Sequence, residues 1–388
     1  MLFPFLKSQN QNKSYAIFCI DGIGITFSVI EKTLDNKEHI SHITKLSLDI
    51  TVQRDADKML REINSKMDQI FEGLKKEHLF DVIKPNTEIV ILVGSPWHIG
   101  WVDQVKLEKE NPFKVTKKLI DESIDGSFTA VHKDLEITNI SIMSYKLNGY
   151  LSKNPLDKVT KSFNLSVYIS SAPKTFTEMV RNIFSQRLPH NKVSFFAYNT
   201  ALFDAIQNTT GKTSCLVVIP EIETTELILI KDNIVTSEAS VPFGGAVLAR
   251  TLFGAKSAGL KESLLKTKRF VEGTLDISEL EQVGVRAKKM KEDFLGQFRD
   301  VVWKMSDTLV LPGDIFVVGR NLATHFVFDW INSDEYIKNT FTIDEYKVMN
   351  LRGNDMISQQ NLTGLFRHKS IPVGVAVSTQ FVVKKTNQ

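Results

Sequence analysis

The chain has 388 residues, room for two to three domains with cores of their own. Hydrophobic residues make up 42% and charged residues 24%, the balance of an ordinary globular protein rather than a disordered or fibrous one. A net charge of +3, from 48 basic against 45 acidic side chains with no long block of one sign, argues against a nucleic-acid binder. No apolar run reaches the roughly 18 residues of a membrane-spanning helix. The apolar start Met1 to Leu6 is too short for a signal peptide and at most touches a membrane surface. Cys19 and Cys215 sit inside apolar runs and read as buried, reduced thiols, which points to a cytoplasmic protein.

Residues 15–31 read as a hairpin whose turn is Asp21-Gly-Ile-Gly24. Residues 44–52 form a further strand. Arg54 to His78 predicts a helix, with Met59, Leu60, Ile63, Met67, Ile70, Phe71 and Leu74 at three- and four-residue spacing and Asp55 as its cap. Glu88 to Gly94 reads as a buried strand, and the β-α-β alternation implies α/β layering. From Ser95 the character changes. The alternation Trp101, Val102, Val105, Leu107 predicts a strand, Lys114 to Ile124 a helix, and Glu136 to Tyr150 and Asn164 to Ser171 strands around the turn Leu147-Asn-Gly-Tyr150. Trp97 and Trp101 suit either an interface or a core. A helix at Lys174 to Leu188 follows.

A second hairpin, residues 214–230, repeats the first about 200 residues later, with Pro220-Glu-Ile-Glu-Thr224-Thr225 as its turn. Val241-Pro-Phe-Gly244-Gly245 opens a helix from Ala246 to Phe253. A long amphipathic helix spans Val285 to Leu309, and Pro312 to Gly319 is a turn and strand before a helix at Leu322 to Ile331. The segment Ile371 to Ser378 is rich in small residues and suited to close packing. Two such hairpins imply two related α/β halves around a cleft. The division expected is 1–95 for the first half, 96–170 for an inserted α+β subdomain, and 171–388 for the remainder of the first half and the second.

This order of pieces resembles the bacterial actin-like proteins FtsA and PilM, of the actin/Hsp70 superfamily. The resemblance rests on Asp21, on Thr224-Thr225-Glu226, on Val241 to Gly245, and on Val317-Val-Gly319 before a helix. Val93-Gly-Ser-Pro96 and Leu147 to Tyr150 resemble parts of the inserted SHS2-type subdomain. It implies an actin-like (ribonuclease H-like) fold that clamps ATP phosphates with the backbone N–H groups of two glycine-containing turns, with an acid handling Mg2+. Carried over residue by residue, Asp21 would hold Mg2+ through water, and Gly22, Gly24 and Thr26 would form the first phosphate turn. Thr224 and Thr225 would serve the second, Gly244 and Gly245 would admit phosphate at a helix N-terminus, and Gly319 would underlie the purine. Each has a local alternative: a capped turn, a strand-to-helix corner or a helix entry.

The chain also departs from that pattern. Ile23 stands where the first turn's glycine belongs, Ile219 replaces the second acid, Glu221 replaces the second glycine, and Pro220 lacks an N–H. The purine motif shrinks to Gly319-Arg320-Asn321. A carboxylate at Glu221 would repel phosphate, so ATP and Mg2+ are expected to bind weakly, with hydrolysis weak or lost. Other signatures fail. Gly211-Lys212-Thr213 has Ile206 where a P-loop needs glycine, and Phe27 breaks a dinucleotide fingerprint.

The function implied first is an FtsA-like scaffold of cell division, linking an FtsZ-like filament to a membrane assembly and capable of self-association. FtsA-type proteins end in an amphipathic membrane helix, and the chain ends at Gln388 without that pattern. This favours the alternative, a PilM-like protein of type IV pilus assembly that binds a short peptide from a membrane partner. An active ATPase of the same superfold is the third reading, and it needs both turns intact.

Overall fold

The computed structural model describes residues 13–32, 38–49, 55–76, 83–85, 87–126, 132–254, 259–306, 311–319, 321–340, 346–357 and 371–387. The apolar start Met1 to Leu6, Arg320, and the predicted helix ends Arg54, His78 and Leu309 lie outside these residues. In chain order the elements begin with β1 (Lys13–Ile20), β2 (Gly24–Lys32), β3 (Glu38–Ser47), α1 (Ala56–Lys76) and β4 (Glu88–Val93). There follow β5 (Ile99–Lys114), α2 (Lys117–Gly126), β6 (Leu135–Leu147), β7 (Tyr150–Leu151), β8 (Val159–Pro173), α3 (Lys174–Arg187), β9 (Val193–Ala197) and α4 (Tyr198–Thr210). The rest is β10 (Cys215–Pro220), β11 (Thr225–Lys231), β12 (Ile234–Val241), α5 (Gly245–Phe253), α6 (Gly259–Val271), α7 (Ile277–Met305), β13 (Asp314–Val318), α8 (Ala323–Asn332), α9 (Glu335–Thr340), β14 (Lys347–Leu351) and α10 (Val373–Asn387).

Two five-stranded sheets share one topology. Their orders are β3-β2-β1-β4-β9 and β12-β11-β10-β13-β14. In each, a hairpin and a third strand run antiparallel on one side, and two parallel strands follow on the other. This duplication is the two-half architecture that the paired hairpins predict. A third sheet, β5-β8-β6-β7, stands apart and carries α2 on one face.

Packing follows the apolar stripes. The first sheet buries Phe18 and Phe27, with ring centroids 4.5 Å apart, beneath α1 and α3. α1 presents Met59, Ile63, Met67, Ile70, Phe71 and Leu74 to this core, and Asp55 caps it by accepting the Lys58 N–H at 3.0 Å. Trp97 is buried here, stacked on Phe176 at 5.1 Å, so it serves the core. The second sheet is covered by α5, α7 and α8, with Phe243, Phe294 and Trp330 in mutual contact.

The core that joins the two sheets is built around α4 and α10. Neither helix is predicted above. Almost every residue of α4 from Tyr198 to Ile206 is buried, so no polar face marks its period. The segment Ile371–Ser378, expected to pack closely, does so as the start of α10. A methyl group added to Gly374 would lie 3.3 Å from Thr26 and 3.4 Å from Cys19. The long helix α7 begins at Ile277, eight residues before the expected start, because its first turns are largely exposed.

Candidate functional site

The two hairpin turns both approach Tyr198, at the start of α4. In the first turn the backbone N–H groups are already engaged. Asp21 Oδ1 accepts from the N–H of Ile23 at 2.8 Å and of Gly24 at 3.0 Å. The N–H of Asp21 donates to the Gly24 carbonyl, and that of Gly22 to the Ser95 carbonyl at 2.7 Å. Gly24 is glycine for a reason of packing, since a Cβ there would sit 2.3 Å from the Leu46 carbonyl oxygen of β3. Thr26 lies away from the turn, buried beneath Gly374 of α10.

The second turn is tied at its ends. The Glu221 N–H donates to the Thr224 carbonyl at 2.8 Å, and the Thr225 hydroxyl is buried and donates to the Phe243 carbonyl at 2.7 Å. The N–H of Gly245 donates to the Glu221 carbonyl, and that of Ala246 to the Ile222 carbonyl. Gly244 is required by close approach, because a Cβ would lie 2.5 Å from the Ile222 oxygen and 2.6 Å from the Glu221 oxygen. Asn321 pins this turn. Its Nδ2 donates to the carbonyls of Pro220 at 2.7 Å and Glu221 at 3.1 Å, while its Oδ1 accepts from the Ala323 N–H. A Cβ on Gly319 would collide with the Thr324 hydroxyl. The fold thus brings the second turn, Gly244, Gly245, Gly319 and Asn321 together.

Glu221 departs from the expectation of a repelling charge. Its side chain is 7% exposed, and burial, reinforced by Glu226, pushes its pKa well above the ordinary carboxyl range. Burial therefore disfavours its charged form. Tyr198, at the start of α4, sits between the turns. The first-turn side reaches it through Gly94, where a Cβ would be 3.0 Å from Asp21 and 3.7 Å from Tyr198; burial raises its pKa, and Cys19 and Glu221 add to the shift.

Beside the turns lies a polar junction that motif matching misses. Glu238 on β12 accepts from the Tyr168 hydroxyl of β8 at 2.8 Å and from Asn199 Nδ2 of α4 at 3.3 Å. Asn199 also donates to Glu226 of β11 at 3.2 Å, and Ser95 hydrogen-bonds Glu226. His98 faces the Tyr168 hydroxyl at 3.2 Å, and burial lowers its pKa to about 4. Burial and the neighbouring Glu226 push Glu238 up to about 7. The available signal was a glutamate inside each of two β-rich runs, Thr225 to Lys231 and Ile234 to Val241.

These residues do not fit a Mg2+–nucleotide clamp of the usual kind. The first turn directs the N–H groups of residues 21–24 to the protein itself, the second does so with those of Glu221, Gly245 and Ala246, and Glu221, whose carboxyl burial pushes toward its protonated form, occupies the second turn. Among the described residues, no group of three or more His, Cys, Asp or Glu side chains is placed to hold a metal ion.

A concavity of about 470 Å³ opens where the third sheet, the first half and β12 of the second half meet. Apolar side chains, among them Ile142, Phe196, Phe203 and Phe381, share its lining with the polar Asp204 and Asn233. β6 is paired with β8 on one side. On the other, among the described residues, only the short β7 pairs with it, at Lys146 and Leu147. The stretch 139–143 is therefore an open sheet edge, and β9 and β12, the edge strands of the two larger sheets, come up beside it.

No family model matches the chain, and no curated protein matches it by sequence. Its structure is similar to the PilM–PilN type IV pilus biogenesis complex at 9% identity and a TM-score of 0.59, over 95% of this chain and 98% of that one. A Bacteroides thetaiotaomicron protein with an actin-like ATPase fold and unknown function matches at 11% identity and a TM-score of 0.42, over 92% and 96%. The ethanolamine utilization protein EutJ from Carboxydothermus hydrogenoformans matches at 10% identity and a TM-score of 0.40, over 86% and 85%. The chain has the actin-like fold, and at these identities the likeness extends to the fold alone. Among the described residues, no helix is long and apolar enough to cross a membrane.

Proposed function

We propose that this chain is an actin-like assembly scaffold of the PilM kind, which holds an extended segment of a membrane-anchored partner and turns over ATP weakly or not at all. The observation that carries the reading is the open edge of β6 at residues 139–143, set over a cavity of mixed apolar and polar lining. An edge strand offers unpaired N–H and C=O groups to an incoming strand, and the cavity receives alternate side chains from it. The PilM–PilN complex as a neighbour over nearly the full length supports the same reading. In this proposal residues 96–170 form the inserted, partner-facing subdomain between 1–95 and 171–388. Any nucleotide would meet Asp21, Gly22, Gly24, Thr224, Gly244, Gly245 and Gly319 only after the turns release their internal hydrogen bonds. The division role is the second reading, favoured by the likeness of the Leu147 to Tyr150 turn to FtsA.

The test is affinity capture of the tagged protein from its native cells, with an Ile142→Asp variant in parallel. Ile142 is 40% exposed, so the variant should fold. Recovery of pilus inner-membrane components that the variant loses supports the proposal, and recovery of an FtsZ-like filament protein moves the chain to the division reading. ATP turnover that falls on Asp21→Ala would overturn the scaffold reading altogether.

A further inference from the structure

The far end of the inserted sheet carries an unexplained surface. β5 and β8 are rooted in the body at one end, where the Ser171 hydroxyl donates to the Ile99 carbonyl and Tyr168 meets Glu238. At the other end β6, β7 and the start of β8 form a projecting tip. Four apolar side chains stand in solvent there: Tyr150 at 81% exposed, Leu151 at 60%, Leu156 at 43% and Val159 at 64%.

The tip is well tied internally. Asn148 and Gly149 turn the hairpin with φ of 49° and 86°. Asn148 Oδ1 accepts from the Thr160 hydroxyl at 2.9 Å and from the N–H groups of Lys161 and Ser162 at 3.1 Å each. Asn154 Oδ1 accepts from the Leu156 N–H, and Lys158 Nζ donates to the Ser152 hydroxyl at 3.0 Å. A loop ordered this firmly holds its apolar side chains outward by construction, and exposed apolar clusters of that kind mark interaction surfaces.

Charge and geometry select the partner. Lys146, Lys153, Lys158 and Lys161 are exposed around the apolar groups. The acid within this stretch, Asp157, is paired with Lys114 at 2.8 Å. Glu108 and Glu110 on the neighbouring stretch of β5 alternate with Lys106 and Lys109, so the surplus is positive. Tyr150 pairs across from Leu147 and Leu151 from Lys146, so the two apolar side chains leave opposite faces of the hairpin. A flat protein partner would cover one face. A medium that the tip enters end-on covers both.

We propose that this tip seats in the interfacial layer of an anionic lipid membrane, with Tyr150, Leu151, Leu156 and Val159 among the upper acyl chains and the lysines on the headgroups. The site is separate from the β6 edge and does not depend on the scaffold reading. Flotation of the full chain with vesicles of phosphatidylcholine containing a third phosphatidylglycerol tests it, against pure phosphatidylcholine. Binding should be confined to the anionic vesicles and weaken as salt rises. It should fall at least tenfold in Tyr150→Ser/Leu151→Ser and in Lys153→Glu/Lys158→Glu. A Tyr150→Trp variant should show blue-shifted emission at that residue on the same vesicles, a readout independent of the losses. No binding to anionic vesicles overturns the proposal, as does binding that the tip variants leave intact. Tip variants that lose an acidic protein in cells, from a wild type that ignores vesicles, would reassign the surface to that protein.

Discussion

Replacing Glu238 with glutamine isolates the energetics of the buried junction. Glu238 ties β12 to Tyr168 of the inserted sheet and to Asn199 of α4, and its pKa is pushed from the ordinary 4.5 to about 7, chiefly by burial. The folded carboxyl therefore keeps its proton where the unfolded one has lost it. Stability from this group is present in full below pH 4.5 and is lost as pH rises through about 7. A shift from 4.5 to about 7 corresponds to roughly 3 kcal/mol, at ~1.36 kcal/mol per pH unit. The surrounding groups do not reverse the sign. His98 is held neutral above a pKa of about 4, Tyr168 is held protonated, and Glu226 is itself raised and repels the charge. Glutamine cannot ionise and keeps an oxygen for the Tyr168 hydroxyl. Glu238→Gln should thus gain up to roughly 3 kcal/mol over the wild type at pH 8.5. At pH 4.5 it should gain nothing, or lose about 1 kcal/mol from a poorer hydrogen bond. Urea unfolding at the two pH values, followed by tryptophan fluorescence, measures the difference. An equal effect at both pH values, or a less stable variant at pH 8.5, would refute the argument.

Three further outcomes are expected. Asn321→Ala removes the hydrogen bonds to the Pro220 and Glu221 carbonyls and should cost about 1–3 kcal/mol in thermal unfolding; an unchanged melting temperature would show that the second turn holds itself. Gly244→Ala places a methyl 2.5 Å from the Ile222 oxygen and should prevent the turn from closing, seen as loss of folded protein on expression, whereas Gly149→Ala, with open space around it, should fold with a smaller penalty. Cys215, whose thiol burial raises to about 12, and Cys19, within 3.4 Å of the Gly374 carbonyl in the core, should resist maleimide at pH 8 and react fully in denaturant. Rapid native labelling of either would mean that the core between the halves opens readily.

Much of the fold was legible because the relevant patterns are local. The two hairpins announce themselves as apolar runs around short polar turns, α1 as a stripe at helical spacing, and the tip hairpin as Asn148-Gly149. The helices that join the halves were not legible, for a shared reason. α4 from Tyr198 to Ile206 and α10 from Val373 to Thr379 are buried on nearly all sides, so these stretches carry no contrast between a wet and a dry face. The site was legible in part. Asp21 and Gly24 were singled out for their types, but their roles depend on which backbone lies 3 Å away, and for Gly24 that backbone is β3. The Glu226–Asn199–Glu238–Tyr168 junction draws on β11, α4, β12 and β8, and no sequence spacing joins them.

The sequence by itself determined the α/β class, the paired hairpins, and the absence of Gly at 23 and 221, because these depend on residue type and short-range period. The tertiary structure alone decided that the N–H groups of the first turn are consumed internally, that Glu221 is buried with its carboxyl pKa pushed up, and that β6 leaves an edge open beside Phe196, Phe203 and Phe381. Hydrogen-bond partners, burial and strand edges are properties of neighbours in space. They are set by how the three sheets meet around α4 and α10, and residues far apart in the chain supply them.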